Sequence, residues 1–395
     1  MTGAPARATP DRYLPIADHG LIGDLRTAAL VGTDGTIDWY CCPSFDSPSV
    51  FAALLDADRG GSFELSPAVR AETKQFYFPD TNVLITRFFT EDGLGEIQDF
   101  MPVGDAADAD RHRLIRRVVC VRGSIPFRAR VSPRFGYGTQ PHTVRMLDQA
   151  ALFTSEALSL TLTSTVPMKA HETDVCAEFA LSQGETAVLA LDRVRDGTPP
   201  RGCSQGEAES EFTATVAFWR HWLQQSRYRG RWREMVHRSA LTLKLLTYAP
   251  TGAIVAAFVQ YEGGDVLDAA LLMMPLTRFI APHDPVWLST LDALGHELVS
   301  DSLVWRYDPK ASPDGLDGDE GTFSICSFWY VEALTRAGRL DEARLAFEKM
   351  LTYANHVGLY AEEISHTGEQ LGNFPQAFTH LALISAAFNL DRALG

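Results

Sequence analysis

Hydrophobic and polar positions alternate over short stretches through the first half of the chain, then recur every three to four residues through the second. In the first half, Asn82–Phe89, Leu114–Val121, Phe127–Val131, Ala157–Val166 and Thr186–Val194 combine alternation with β-branched and aromatic residues, the pattern of half-buried strands. Asp34-Gly35, Asp92-Gly93 and Arg59-Gly60-Gly61 punctuate them and supply positive-φ turn positions. Many short strands joined by such turns predict an antiparallel sandwich. Gly197–Ser210 carries prolines, glycines and small polar residues with no apolar period, and is expected to be a surface loop. From Thr213 to Leu246 the apolar positions, among them Phe218, Trp219, Trp222, Val236, Ala240, Leu243 and Leu246, fall at helical spacing. Further helices are predicted over Val266–Phe279, Pro285–Leu298, Phe323–Ala337, Asp341–Tyr353 and Phe374–Leu390. Gly338-Arg339-Leu340 is short enough to join two of them as a hairpin. The irregular spacing of the hairpins argues against a tetratricopeptide-type repeat. The expected organisation is a β-sandwich domain over residues 1–210 and a helical domain over 211–395.

Composition narrows the function classes. A chain of 395 residues with 46% hydrophobic content can bury more than one core. A net charge of -15 would repel phosphate backbones and anionic lipid, so neither nucleic acid nor a membrane is an expected partner. The apolar runs Gly252–Val259 and Ala269–Leu276 are far shorter than the roughly 20 residues a membrane span requires. Met1–Pro10 has no apolar core of the signal-peptide kind, and a cytoplasmic location is the expectation. The cysteines, Cys41, Cys42, Cys120, Cys176, Cys203 and Cys326, show neither metal-ligand nor disulfide-framework spacing and are expected to be free thiols.

Two polar segments among the helices hold the candidate chemistry. Asp314 to Gly321 packs Asp314, Asp317, Asp319 and Glu320 between three glycines, just before an aromatic helix. Carboxylates there are favourable on dipole grounds alone, and the segment fits a calcium loop poorly. The second segment runs Leu359-Tyr360-Ala361-Glu362-Glu363-Ile364 and continues to Gly368-Glu369-Gln370-Leu371-Gly372-Asn373-Phe374-Pro375-Gln376. Adjacent acids beside a tyrosine and a glycine-rich turn are residue types able to hold a general base against a sugar, since burial can raise a carboxylate's pKa toward the working range. An adjacent glutamate pair is also common on solvated loops. No dinucleotide fingerprint, phosphate loop or nucleophile elbow competes. Trp305 and other aromatics could stack on sugars or pack a core.

The opening of the chain, Pro15-Ile16-Ala17-Asp18-His19-Gly20-Leu21-Ile22-Gly23-Asp24 followed by Asp34-Gly35-Thr36-Ile37-Asp38-Trp39 and Phe45-Asp46-Ser47-Pro48, resembles that of bacterial glycoside hydrolase family 15 proteins, which include glucoamylases, glucodextranases and actinobacterial trehalases. The resemblance resumes in Gly315–Trp329, Gly338–Ala343 and Glu362–His380. It implies an N-terminal β-supersandwich followed by an (α/α)6 toroid of helical hairpins, and inverting hydrolysis of α-glucosidic bonds. By that resemblance Glu362 aligns with the catalytic base, and Glu363, Glu320, Tyr360 and Trp305 are candidate substrate-binding residues. The implied partner is an α-glucoside, trehalose first and short malto-oligosaccharides second, with no cofactor and no metal.

The chain departs from the family pattern at one place. Ala256-Ala257 passes directly into Phe258-Val259-Gln260-Tyr261, which matches the family only beyond its general acid, so a junction lies near 257–258. The family's Trp-Asp-Tyr-Arg and Trp-Leu-Arg-Asp runs and its acid-bearing Trp-Glu are absent. The expected toroid is therefore truncated, with hydrolysis impaired and helical faces left exposed for self-association. Glu320, and less so Glu262 or Asp265, are the nearest substitutes for the missing acid. The alternatives are an inactive carbohydrate-binding or interaction relic, or an artefactually shortened hydrolase.

Overall fold

The computed structural model describes residues 13–103, 112–194, 202–247, 268–277, 280–307 and 321–395. The chain divides into two compact units, the first holding 1–22, 27–75 and 84–212, the second 23–26, 76–83 and 213–395.

The first unit is β-rich, and its strands belong to a 15-stranded antiparallel array. They are β1 (His19–Gly23), β2 (Ala28–Gly32), β3 (Ile37–Cys41), β4 (Ser49–Phe51), β5 (Ser62–Pro67), β6 (Glu72–Tyr77), β7 (Leu84–Phe89), β8 (Gly93–Phe100), β9 (Arg113–Ser132), β10 (Thr143–Met146), β11 (Ala150–Thr154), β12 (Ser159–Ser164), β13 (Lys169–His171), β14 (Asp174–Ser182) and β15 (Thr186–Arg193). The organiser is β9, 20 residues long. Its first half pairs with β8 and β15 and its second half with β5 and β14. The change of partners falls at Gly123, whose φ of 75° is open to glycine, beside a register shift between Leu94 and Gly95 on the facing strand. The sequence pattern reads this strand as two, Leu114–Val121 and Phe127–Val131, because the bulge looks like a turn. Fully buried Arg116 donates through Nε to Asp99 Oδ1 at 2.8 Å and through Nη1 to the Phe63 carbonyl at 2.6 Å, linking β9, β8 and β5. All six cysteines are free, and five of them are buried.

Helices follow: α1 (Gln205–Leu223), α2 (Arg233–Leu246), α3 (Pro285–Glu297), α4 (Ser324–Arg336), α5 (Leu340–Leu351) and α6 (Ala377–Leu394). One sequence expectation is corrected here. The segment 197–210 is not loop throughout, because α1 begins at Gln205, where Ser204 Oγ accepts the Glu207 N–H and caps the first turn. Thr213–Leu246, read only as helical spacing, holds the end of α1 and the whole of α2, separated by residues 224–232. Of Val266–Phe279, the described part contains a short 3-10 turn, Ala269–Met273.

The core of the second unit gathers Trp287 and Leu291 of α3, Phe328, Val331 and Leu334 of α4, Phe347 and Met350 of α5, and Leu383, Ala387 and Leu390 of α6. Small residues let these helices approach, and α4 packs against both α5 and α6. Leu303–Val304 (β17) pairs with Val299–Ser300 (β16) and lies against Thr322–Phe323 (β18). That strand in turn joins Glu363–Ile364 (β19) and Gln370–Leu371 (β20) in a three-stranded sheet. Among the described residues no helix is long and apolar enough to cross a membrane.

Candidate active site

Glu362 stands just before β19, and its backbone is fixed from two sides. Its N–H donates to the Asn373 carbonyl, and its own carbonyl accepts the Ser324 N–H, the first of α4, both at 2.9 Å. A helix N-terminus that needs an acceptor thus uses the main chain of this loop. The side chain is half-buried, and Oε2 accepts from Asn373 Nδ2 at 2.8 Å and from the Asn373 N–H at 3.2 Å. Oε1 has no hydrogen-bond partner among the described residues and is not sealed in the interior. The carboxylate is therefore held by one oxygen and presents the other.

Gly372 makes that placement possible. Its φ is 73°, and a Cβ there would come to 3.1 Å from both Cβ and Oε2 of Glu362. On the next residue, Glu363 Oε2 accepts the Gly321 N–H at 2.9 Å. Gly321 is itself close-packed, since a Cβ would lie 2.7 Å from the Ile364 carbonyl oxygen. Burial pushes the Glu363 carboxyl above its ordinary range, the Gly321 hydrogen bond opposes this, and the Glu362 charge adds to the rise. The two adjacent acids thus sit in unlike environments, held by different turns.

Tyr360 is placed differently from the sequence expectation. It is fully buried, its hydroxyl donates to the Met350 carbonyl at 3.3 Å, and its ring meets Phe328 and His380 edge-on at 5.6 Å each. Burial raises its phenol pKa. A tyrosine whose hydroxyl is satisfied in the core supports the loop and does not touch a sugar. Its N–H donates to His380 Nε2 at 3.4 Å, while His380 Nδ1 lies 2.8 Å from Ser239 Oγ. His380 is neutral with its proton on Nδ1, because burial drives its pKa down to about 3, helped by the Arg238 charge.

Trp305 is half-buried, with its backbone N–H donated to the Leu298 carbonyl at 2.9 Å and its indole packed against the helical core. It follows β17, which lies against the strand paired with Glu363. Glu320, Glu262, Asp265 and the 257–258 junction lie outside the described residues. Among the described residues no group of three or more His, Cys, Asp or Glu side chains is arranged to hold a metal. Sequence reasoning placed Gly372 and Asn373 only within a glycine-rich turn beside the acids, without a role of their own, and gave His380 no part in the site. Their only signal is the Gly-Asn pair and a histidine within an apolar helix.

Residues 9–188 match the family model described as trehalase-like, N-terminal, and residues 257–388 that described as glycosyl hydrolases family 15. A trehalase of Mycolicibacterium smegmatis is 25% identical over an alignment of 618 positions that covers 96% of this chain and 92% of the relative. A trehalase of Thermoplasma volcanium is 24% identical, with 98% of this chain and 95% of the relative covered. An alignment of 618 positions on a chain of 395 residues leaves more than two hundred positions at which this chain has no residue. Among solved structures, a glycosidase is similar at 18% identity and a TM-score of 0.29, covering 47% of this chain, which spans 62% of that protein's length. A family GH92 α-mannosidase of Bacteroides thetaiotaomicron is similar at 10% identity and a TM-score of 0.34, covering 92% of this chain and 68% of that one.

Proposed function

We propose that this chain, whose residues 9–188 and 257–388 match the trehalase-like N-terminal and glycosyl hydrolases family 15 models, is a trehalase-type family 15 hydrolase acting on α-glucosides, trehalose first and short α-glucans second, with Glu362 as the base of an inverting reaction. The observation that carries this reading is the Glu362 carboxylate, fixed through Oε2 by Asn373 and open at Oε1. In the reaction, Oε1 takes a proton from water as the water oxygen bonds to the anomeric carbon from the face opposite the departing sugar. The glycosidic bond breaks, and the leaving oxygen takes a proton. A positioned base of this kind contributes typically 10²–10⁴-fold. Glu363 holds the other side of the strand through Gly321, with Glu320 and Trp305 as further sugar contacts.

The leaving oxygen is where this chain falls short. By the sequence resemblance the family's acid and its sugar-binding runs are missing from this chain, and on this reading the proton comes from solvent or from a substitute such as Glu320. We place the helical domain at 211–395 after a sandwich over 1–210, as an open arc of hairpins in place of a closed ring. Inversion at the attacked carbon of trehalose gives one β-glucose, while the leaving glucose departs with its α configuration kept. Proton NMR of glucose released from trehalose, followed before mutarotation, is expected to show the α and β anomers in equal amounts. Release of only the α anomer would contradict Glu362 as a base acting through water.

A further inference from the structure

Strand β3 buries Ile37, Asp38, Tyr40 and Cys41 and leaves only Trp39 partly open. The Trp39 ring lies 6.3 Å from that of Tyr137 and is tilted against it by 45°, and Tyr137 is half exposed. Both residues belong to the first unit, and neither takes part in the site built on Glu362.

Tyr137 is held open against a backbone cost. Its φ is 57° and its ψ 36°, and it stands between Gly136 at φ 60° and Gly138 at φ 77°. Left-handed backbone is unfavourable for L-residues, and a bulky side chain tolerates it far less well than glycine or asparagine. The turn is nevertheless fixed. Phe135 is buried and meets His142 edge-on at 5.3 Å, the Gln140 N–H donates to the Phe135 carbonyl at 3.0 Å, and the Arg134 N–H donates to the Val50 carbonyl at 2.8 Å. Both flanking glycines are required, since a Cβ on Gly136 would come to 2.9 Å from Gln140 Cγ and one on Gly138 to 2.6 Å from the Arg59 carbonyl oxygen. Folding alone would be served better by glycine at position 137. Strain kept in a well-determined turn, and used to present a side chain, marks a functional position.

The polar groups around the two rings are unused. Among the described residues the Trp39 indole N–H, the Tyr137 hydroxyl, the Gln140 amide and the Arg59 guanidinium have no hydrogen-bond or ion-pair partner, and none of these atoms is sealed in the interior. Gln140 lies against Gly136 and Arg59 against Gly138. A group that both donates and accepts thus flanks Tyr137 on one side, and a pure donor flanks it on the other.

We propose that Trp39 and Tyr137 form a platform that binds an α-linked glucan chain and shares no residue with the Glu362 site. The C–H faces of glucosyl rings stack on the two aromatic faces, while sugar hydroxyls bond to Gln140 and Arg59. Two rings inclined by 45° present a bent face, which suits the curved run of α-1,4-linked glucosyl units and not the flat run of a β-1,4-linked chain. The choice of an α-glucan rests on the α-glucoside reading, and the platform itself on the geometry of the two rings.

The test is isothermal titration of the full chain with maltoheptaose and with cellohexaose, both in the parent and in Glu362→Gln, where the ligand is not consumed. Saturable binding of maltoheptaose is expected, weakened about tenfold or more by Trp39→Ala and by Tyr137→Gly. Because glycine relieves the left-handed strain, Tyr137→Gly should melt no lower than the parent. Its trehalose hydrolysis should equal the parent's, since a disaccharide has no need of the platform. Loss of affinity on Tyr137→Gly in both backgrounds supports the platform even where Glu362 proves not to be the base. Maltoheptaose affinity unchanged in both Trp39→Ala and Tyr137→Gly would overturn the platform and leave the Glu362 reading standing. A lowered melting temperature with unchanged affinity in Tyr137→Gly would assign the ring to packing, and cellohexaose bound as tightly as maltoheptaose would contradict the α-glucan.

Discussion

At the scale of single residues, the aim of the Glu362 carboxylate rests on Gly372 and Asn373. Gly372→Ala would place a Cβ 3.1 Å from Glu362 Oε2 in a backbone conformation of φ 73°, so the new side chain is strained and the carboxylate must move. The expected cost is of order 1–3 kcal/mol in stability, with turnover reduced further than that loss explains. Chemical denaturation beside glucose-release rates checks both parts. Unchanged kinetics with lowered stability would show that the glycine serves only the turn. The sequence carries the identity of Glu362 and the Gly-Asn pair ten residues on, but not their meeting. Asn373 reaches Glu362 because β19 and β20 pair, a register that two-residue strands do not announce. Tyr360 was misread for the opposite reason, since a tyrosine beside two acids looks polar until its hydroxyl is found on the Met350 carbonyl.

At the scale of elements, α6 supports the Glu362 loop through one neutral histidine. His380 has a folded pKa of about 3, below the ordinary value near 6.5. Between those values the unfolded chain binds a proton that the folded chain does not. Stability is therefore whole above about pH 6.5 and falls as pH drops toward 3, by up to roughly 1.4 kcal/mol per unit. Melting temperatures measured from pH 7.5 to 4.5 should decline less steeply for His380→Gln than for the parent chain. Parallel declines would contradict the assignment. Helix periodicity made α3, α4, α5 and α6 legible to within a few residues. It failed at residues 224–232, where Arg227, Arg229, Arg231 and Arg233 alternate and an apolar residue still falls often enough to mimic continuity. It failed again in β9, where a bulge at Gly123 passes for a turn.

For the whole molecule, the comparison that matters is between this chain and relatives that carry more than two hundred additional aligned positions. Helices that lose neighbours expose apolar side chains, and Leu381 and Phe388, seven residues apart on α6, are 41% and 51% exposed, with Leu345 of α5 at 69%. Self-association through these faces is the expected consequence. Sedimentation over a range of concentrations should show a dimer that weakens in Phe388→Ser, whereas a monomer at every concentration would contradict it. The same lost segment sets the catalytic expectation. Without a positioned acid the reaction forfeits on the order of 10²–10⁴ in rate, and weaker fixation of the glucose forfeits more. The most direct measurement is coupled detection of glucose released from trehalose, maltose and maltotriose by the purified chain, its Glu362→Gln variant and the Mycolicibacterium smegmatis relative side by side. The parent chain should release glucose from trehalose at least about a hundredfold more slowly than the relative, and Glu362→Gln should abolish that release. Turnover equal to the relative's, or release that survives Glu362→Gln, would contradict the account.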